Sequence, residues 1–77
     1  MYHKRMDIYN TILAAGGPAV VSRRLGIRMQ RLGHWRYRGI PDAQVINWCR
    51  AVEWRVTPHQ VAPHLYPHPL DGMPTER

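Results

Sequence analysis

Residues 18–35 read PAVVSRRLGIRMQRLGHW, and their apolar positions fall at the spacing of two short helices joined by a glycine turn. Gly26, between Leu25 and Ile27, can take the positive φ that ends a helix without a Cβ clash. On that register Val21, Leu25, Ile27, Leu32 and Trp35 face inward, and Ser22 sits where the two helices cross and only a small side chain fits. Arg28, Met29, Gln30, Gly33, His34 and Tyr37 then face outward, on the side of the second helix that a helix-turn-helix unit offers to the major groove of DNA. A helix, a glycine turn and a second helix also occur in small domains that bind no DNA, so spacing alone leaves the function open.

Charge separates the two readings. The chain has 77 residues and a formal net charge of +6, and six of its eleven Lys and Arg residues (Arg23, Arg24, Arg28, Arg31, Arg36, Arg38) fall between positions 23 and 38. No Asp or Glu occurs between Ile8 and Pro41. A merely solvated helix face mixes signs, whereas a surface for a polyanion concentrates one. The length allows one domain with a small core and disfavours a spacious buried active site. Cys49 is the only cysteine, so no internal disulfide can form and the thiol reads as a small buried hydrophobe in a reducing, cytoplasmic setting. No apolar run is long enough for a membrane span, and no signal-like segment opens the chain.

Around this unit the pattern predicts three more helices. Residues 6–15 carry Ile8, Tyr9, Ile12 and Leu13 as an apolar stripe with Asp7 near the positive end. Gly16 caps that helix and Pro18 suits the first position of the next. The second helix is expected over 18–25 and the third over 28–37, with Gly33 in its middle at a cost of about 1 kcal/mol relative to alanine. That glycine either lets the backbone approach DNA or is simply tolerated by its neighbours. A fourth helix is expected over 41–53 with Val45, Ile46, Cys49 and Val52 inward and Trp48 and Trp54 at or beyond the edge of the stripe. Thr57 and Gln60 are spaced as a capping box for a short fifth helix from Pro58 to Val61 or Ala62. The prolines at 63, 67 and 69 break regular structure, Leu65-Tyr66-Pro67 can pack back on the domain, residues 1–5 are expected to fray and residues 70–77 to be disordered. The expected division is thus a domain over 1–69, with its helix-turn-helix unit over 18–37, and a tail over 70–77.

Residue chemistry assigns roles on the outward face. Gln30 can pair bidentately with adenine, and Arg28 can take guanine or a phosphate. Met29 can touch a thymine methyl or be partly buried. His34 can donate to a base or a phosphate. Arg31, Arg36 and Arg38 read as phosphate anchors, joined by Arg23 or Arg24 from the end of the second helix, while Tyr37 either reaches a phosphate or is plain surface. Free N–H groups at Gly17 to Ala19 offer a further phosphate contact. Trp35 reads as core. One such domain spans too little groove for operator affinity, so a homodimer on a pseudo-palindromic double-stranded DNA operator is expected, with Trp48 and Trp54 serving either as interface or as cover for the core. His59, His64 and His68 follow Cys49 but are separated by prolines, so no metal and no cofactor is expected. Neither a nucleophile triad nor paired carboxylates nor a phosphate-binding glycine loop is present, so no catalytic residues and no enzyme are expected.

The series GGPAVVSRRLGI, HWRYRGIP and RVTPHQVAPHLYP resembles the small YdaS-type antitoxins and Cro-like regulators of prophages and bacterial toxin–antitoxin loci. Its more diagnostic parts are Trp35 with Arg38-Gly39-Ile40-Pro41, and Leu65-Tyr66-Pro67. The resemblance implies an all-α, compact five-helix, repressor-like (lambda-repressor-like) helix-turn-helix domain with a Pro-rich C-terminal extension, acting as a transcriptional regulator. A second reading is an antitoxin that acts mainly by contact with a toxin or repressor protein, with DNA autoregulation secondary. Arg28, Arg31 and Gly33 depart from the family's usual small or hydroxyl residues on the reading face, and His64 from an acidic one. The target sequence is therefore the property least implied.

Overall fold

Asp7 opens the first helix by accepting the backbone N–H of Asn10 on its carboxylate at 3.0 Å. In the computed structural model, which describes residues 7–74, α1 (Ile8–Ala14) is followed by α2 (Pro18–Leu25), α3 (Met29–Arg38), a 3-10 turn (Asp42–Gln44), α4 (Val45–Ala51) and α5 (Pro58–Val61). The fraying expected for residues 1–5, the helical place expected for Met6, and residues 75–77 of the expected tail lie outside the described residues. Within them the chain is compact and mostly helical, 57% helix with five α-helices and no strand. The α2 boundaries coincide with those read from sequence, and α3 is displaced by one residue. The fourth helix is shorter than expected because its first turn is a 3-10 turn and its α-helical register begins only at Val45.

Three of the helices end in the same way. After α1 the N–H of Gly17 bonds the carbonyl of Ile12 (2.9 Å) and that of Gly16 the carbonyl of Leu13 (3.2 Å). After α2 Ile27 bonds Ser22 (3.1 Å) and Gly26 bonds Arg23 (3.2 Å); after α4 Trp54 bonds Cys49 (2.8 Å) and Glu53 bonds Arg50 (3.0 Å). This pairing satisfies two orphan carbonyls and requires a positive φ at the first of the two donating residues. Glycine supplies it at Gly16 and Gly26, but after α4 the residue is Glu53, at φ 59°, with Trp54 following at 58°. The backbone strain accompanies a turn in which Trp54 packs against the core, and it leaves Glu53 3.5 Å from Arg24.

The core is built from Ile12 of α1 and Ala15 just after it, Val21 of α2, Leu32 and Trp35 of α3, Val45, Trp48, Cys49, Ala51 and Val52 in and after α4, and Ala62 after α5. Two sequence expectations are corrected here. On α1 only Ile12 is fully buried, Ile8 is half-buried, and Tyr9 and Leu13 are 43% and 47% exposed. The helix meets α2 and α3 along one side, an arc narrower than a stripe four residues wide. On α4 the buried fourth position is Trp48, wholly enclosed, while Ile46 is half-buried. Both residues border the face set by Val45, Cys49 and Val52, and periodicity does not choose between them. Enclosing an indole contributes about 4–6 kcal/mol. That outweighs the roughly 1–3 kcal/mol cost of burying an unpaired donor, a cost Trp48 incurs because its Nε1 has no partner. With Trp48 enclosed and Trp54 half-buried against the core, neither tryptophan forms an exposed interface.

The C-terminal segment closes one end of the molecule. Thr57 and Gln60 form the expected capping box at the start of α5. His59 donates from Nδ1 to the Tyr66 carbonyl at 2.8 Å, and Tyr66 packs on the core. Residues 70–74, part of the segment expected to be disordered, are placed: Asp71 accepts the His68 N–H at 3.0 Å. Gly72 sits so close to the domain that a β-carbon there would stand 2.9 Å from both Ile46 Cδ1 and Pro58 Cγ.

Two outcomes follow from the helix ends and the buried thiol. Glu53→Gly should raise stability by about 0.5–1 kcal/mol, the left-handed strain relieved less the extra chain entropy of glycine. The exposed Arg24 pair it loses contributes little; a lowered urea midpoint would contradict this account. Burial pushes the Cys49 thiol up from 9.0 to about 11, so the folded chain holds that proton more tightly than the unfolded one. The associated stability is intact below pH 9 and is lost as pH rises toward 11, which should narrow the gap in unfolding free energy between the protein and Cys49→Ala over that range.

Candidate nucleic-acid interface

With Leu32 and Trp35 buried, the solvent face of α3 follows from helix geometry. At about 100° per residue, Gln30 and Tyr37 point directly away from the core, with Gly33 and His34 beside them. Arg31 and Arg38 run along one flank, and Met29 and Arg36 along the other. All of these are exposed except Gly33, which is half-buried. Arg28 precedes α3 as its N-cap, exposed and without a side-chain cap bond. The inward set holds as read: Val21, Leu32 and Trp35 are buried, Ser22 is buried at 6% exposure, and Leu25 and Ile27 pack against the core.

On the Arg31 flank, Gly26, Ile27, Arg28, Gln30, Arg31 and His34 line an open groove of about 540 Å³. It follows the turn between α2 and α3 and carries two guanidinium groups. On the other flank Arg36 is held by aromatic rings, its Cζ 4.3 Å from the centroid of Tyr9 and 5.5 Å from that of Tyr37. Such stacking fixes a guanidinium in place while leaving its N–H edge free to donate. Tyr9 belongs to the apolar stripe of α1. Its tie to Arg36 is visible only once α1 and α3 are packed together.

Arg24 has a different position from the one sequence suggested. Its Nη1 donates to the Ala51 carbonyl at 2.9 Å and its Nη2 lies 3.5 Å from Glu53, so it ties the end of α2 to the C-terminus of α4. Arg23 remains exposed at the end of α2. At the other end of that helix Gly17 is an N-cap with no side-chain bond and Pro18 follows, leaving the first backbone donors open on the surface.

The acidic side chains among the described residues are engaged in other elements. Asp7 caps α1, Asp42 meets His64 Nε2 at 3.2 Å, Glu53 meets Arg24, and Asp71 accepts from His68. None of them is on α3. Among the described residues no three His, Cys, Asp or Glu side chains come together as metal ligands, and no helix is long and apolar enough to cross a membrane. Matched against protein-family models, curated proteins and solved structures, the chain finds no counterpart in any of the three.

Gly33 is the one glycine of six without a positive φ, and a β-carbon on it would meet nothing within 4 Å. Neither backbone conformation nor packing among the described residues calls for glycine there. Gly33→Ala should therefore stabilise the fold by about 1 kcal/mol through helix propensity alone, read as a higher thermal midpoint; a loss of stability would reveal an internal contact that the geometry does not contain.

Proposed function

We propose that this chain is a sequence-specific double-stranded DNA-binding transcriptional regulator of the repressor-like, Cro-type class, with α2 and α3 as its helix-turn-helix and α3 lying in the major groove. The observation that carries this reading is the solvent face of α3. A polar centre of Gln30, His34 and Tyr37 is flanked on one side by Arg31 and Arg38 and on the other by Arg36, with no carboxylate on the helix. A helix in a major groove has bases in front of it and a phosphate strand on either side. That is the order of chemistry on α3.

In this arrangement Gln30 reads adenine through its amide, with Arg28 and His34 beside it along the Arg31 groove. Met29 and Gly33 front the neighbouring base pairs. Arg31, Arg36, Arg38 and Arg23 neutralise phosphates, and Tyr37, 81% exposed, donates to one. Arg24 leaves the phosphate set, since its guanidinium is engaged at α4. A two-fold dimer on a pseudo-palindrome supplies the contacts a single domain lacks. Its surface is sought among Leu13, Leu65 and Leu70, the exposed leucines outside α3, rather than at the tryptophans. A toxin or repressor partner would use the same apolar residues and leave α3 free.

The test is a titration against the DNA upstream of its own coding sequence and against random duplex at several salt concentrations. Preference for the upstream duplex supports regulation; equal affinity with a shared salt slope contradicts it. Within that assay Gln30→Ala should lose about 1–3 kcal/mol of discrimination at one base pair, whereas Arg38→Ala should weaken all duplexes alike and reduce the salt slope by about one.

A further inference from the structure

Between α1 and α3, on the Arg36 flank, lies a shallow notch of about 190 Å³ whose walls include Tyr9, Pro18, Met29 and Gly33, with Leu32 among its lining residues and Arg36 completing it. We propose that this notch is a subsite for the C5-methyl group of a pyrimidine in duplex DNA. The proposal rests on the DNA-binding reading above and adds to it a specificity element that hydrogen bonding does not supply.

Three observations converge on the notch. Its lining is apolar apart from the Arg36 guanidinium, and Met29 lies beside it 55% exposed, an unbranched side chain free to fold over a small occupant. Gly33 forms part of the wall, and any side chain there would project into space that nothing among the described residues fills. A mid-helix glycine costs about 1 kcal/mol against alanine, and no contact among the described residues offsets that cost, which points to the ligand that this surface binds. The Arg36 guanidinium, held 4.3 Å from the Tyr9 ring, places a fixed cation beside the notch. An occupant must therefore be a small apolar group carried on a polyanion. The major groove presents one such group, the pyrimidine methyl, borne by thymine and also by 5-methylcytosine. On this account Tyr9 is a positioning residue, acting through Arg36.

The experiment uses the whole chain and duplexes it selects from a random pool. Each thymine is replaced in turn by deoxyuridine, which removes only the methyl group. At one position per bound chain the loss should be about fourfold, the worth of one buried methyl. With cytosine at that position, adding a 5-methyl group should gain about the same factor. In Gly33→Leu, whose side chain covers the notch, and in Met29→Ala, which removes a wall at an exposed site, the thymine-to-uracil ratio should fall to near one. In Gln30→Ala it should stay about fourfold while overall affinity drops. Thymine and uracil binding equally at every position, or a ratio that survives Gly33→Leu in a folded variant, would overturn the methyl subsite and leave DNA binding standing. A gain confined to thymine would overturn the assignment to the methyl group. Failure to select any duplex would overturn the DNA-binding reading and the subsite with it.

Discussion

Trp35 meets Trp48 edge to face, ring centroids 6.4 Å apart and planes at 74°, and the disposition of the remaining surface depends on this contact. It joins the inner face of α3 to the middle of α4. α4, seven residues long, also packs against α2, α5 and the 3-10 turn before it. Because Trp35 and Leu32 are committed inward, the rotation of α3 about its own axis is settled, and with it which residues face solvent. The edge-to-face geometry sets ring edge against ring face, the favoured arrangement for aromatic pairs. The unpaired Nε1 of Trp48 is the cost of using so large a ring in so small a core.

Charge is partitioned by the same packing. Five arginines of the 23–38 segment have no carboxylate partner among the described residues, while the sixth, Arg24, is drawn to the carbonyl end of α4, where helix polarity favours a cation. Among the described residues the carboxylates are spent at helix starts, turns and the far end of α4, and none is on α3. A concentrated positive surface opposes folding through self-repulsion, and it persists here because those charges are solvated and screened.

Much of the fold is legible before any coordinates. Local steric rules act within a few residues, so Gly16, Gly26 and the Thr57–Gln60 capping box announce their helix ends directly. The end of α4 is silent in the sequence because Glu53, a residue that disfavours positive φ, was placed there by tertiary contacts. Tyr9 and Trp48 were misread for a related reason. Periodicity states that a stripe is apolar, but not how wide an arc the neighbouring helices will cover. In the candidate interface, the residues along α3 were visible from spacing and charge, whereas the stacking of Arg36 on Tyr9 and the diversion of Arg24 involve residues 27 apart in sequence in each case.

The sequence by itself determined the helical class, the positions of α2, α3 and α5, the inward set Val21, Leu32 and Trp35, and the acid-free run of arginines, because each depends on local conformation or on counting charges. Tertiary structure alone decided which tryptophan is enclosed, which arginines remain free, and that Gly33 borders an open notch rather than a packed neighbour. Those outcomes arise from competition among distant side chains for a limited interior. No local pattern encodes the result of that competition until the helices have met.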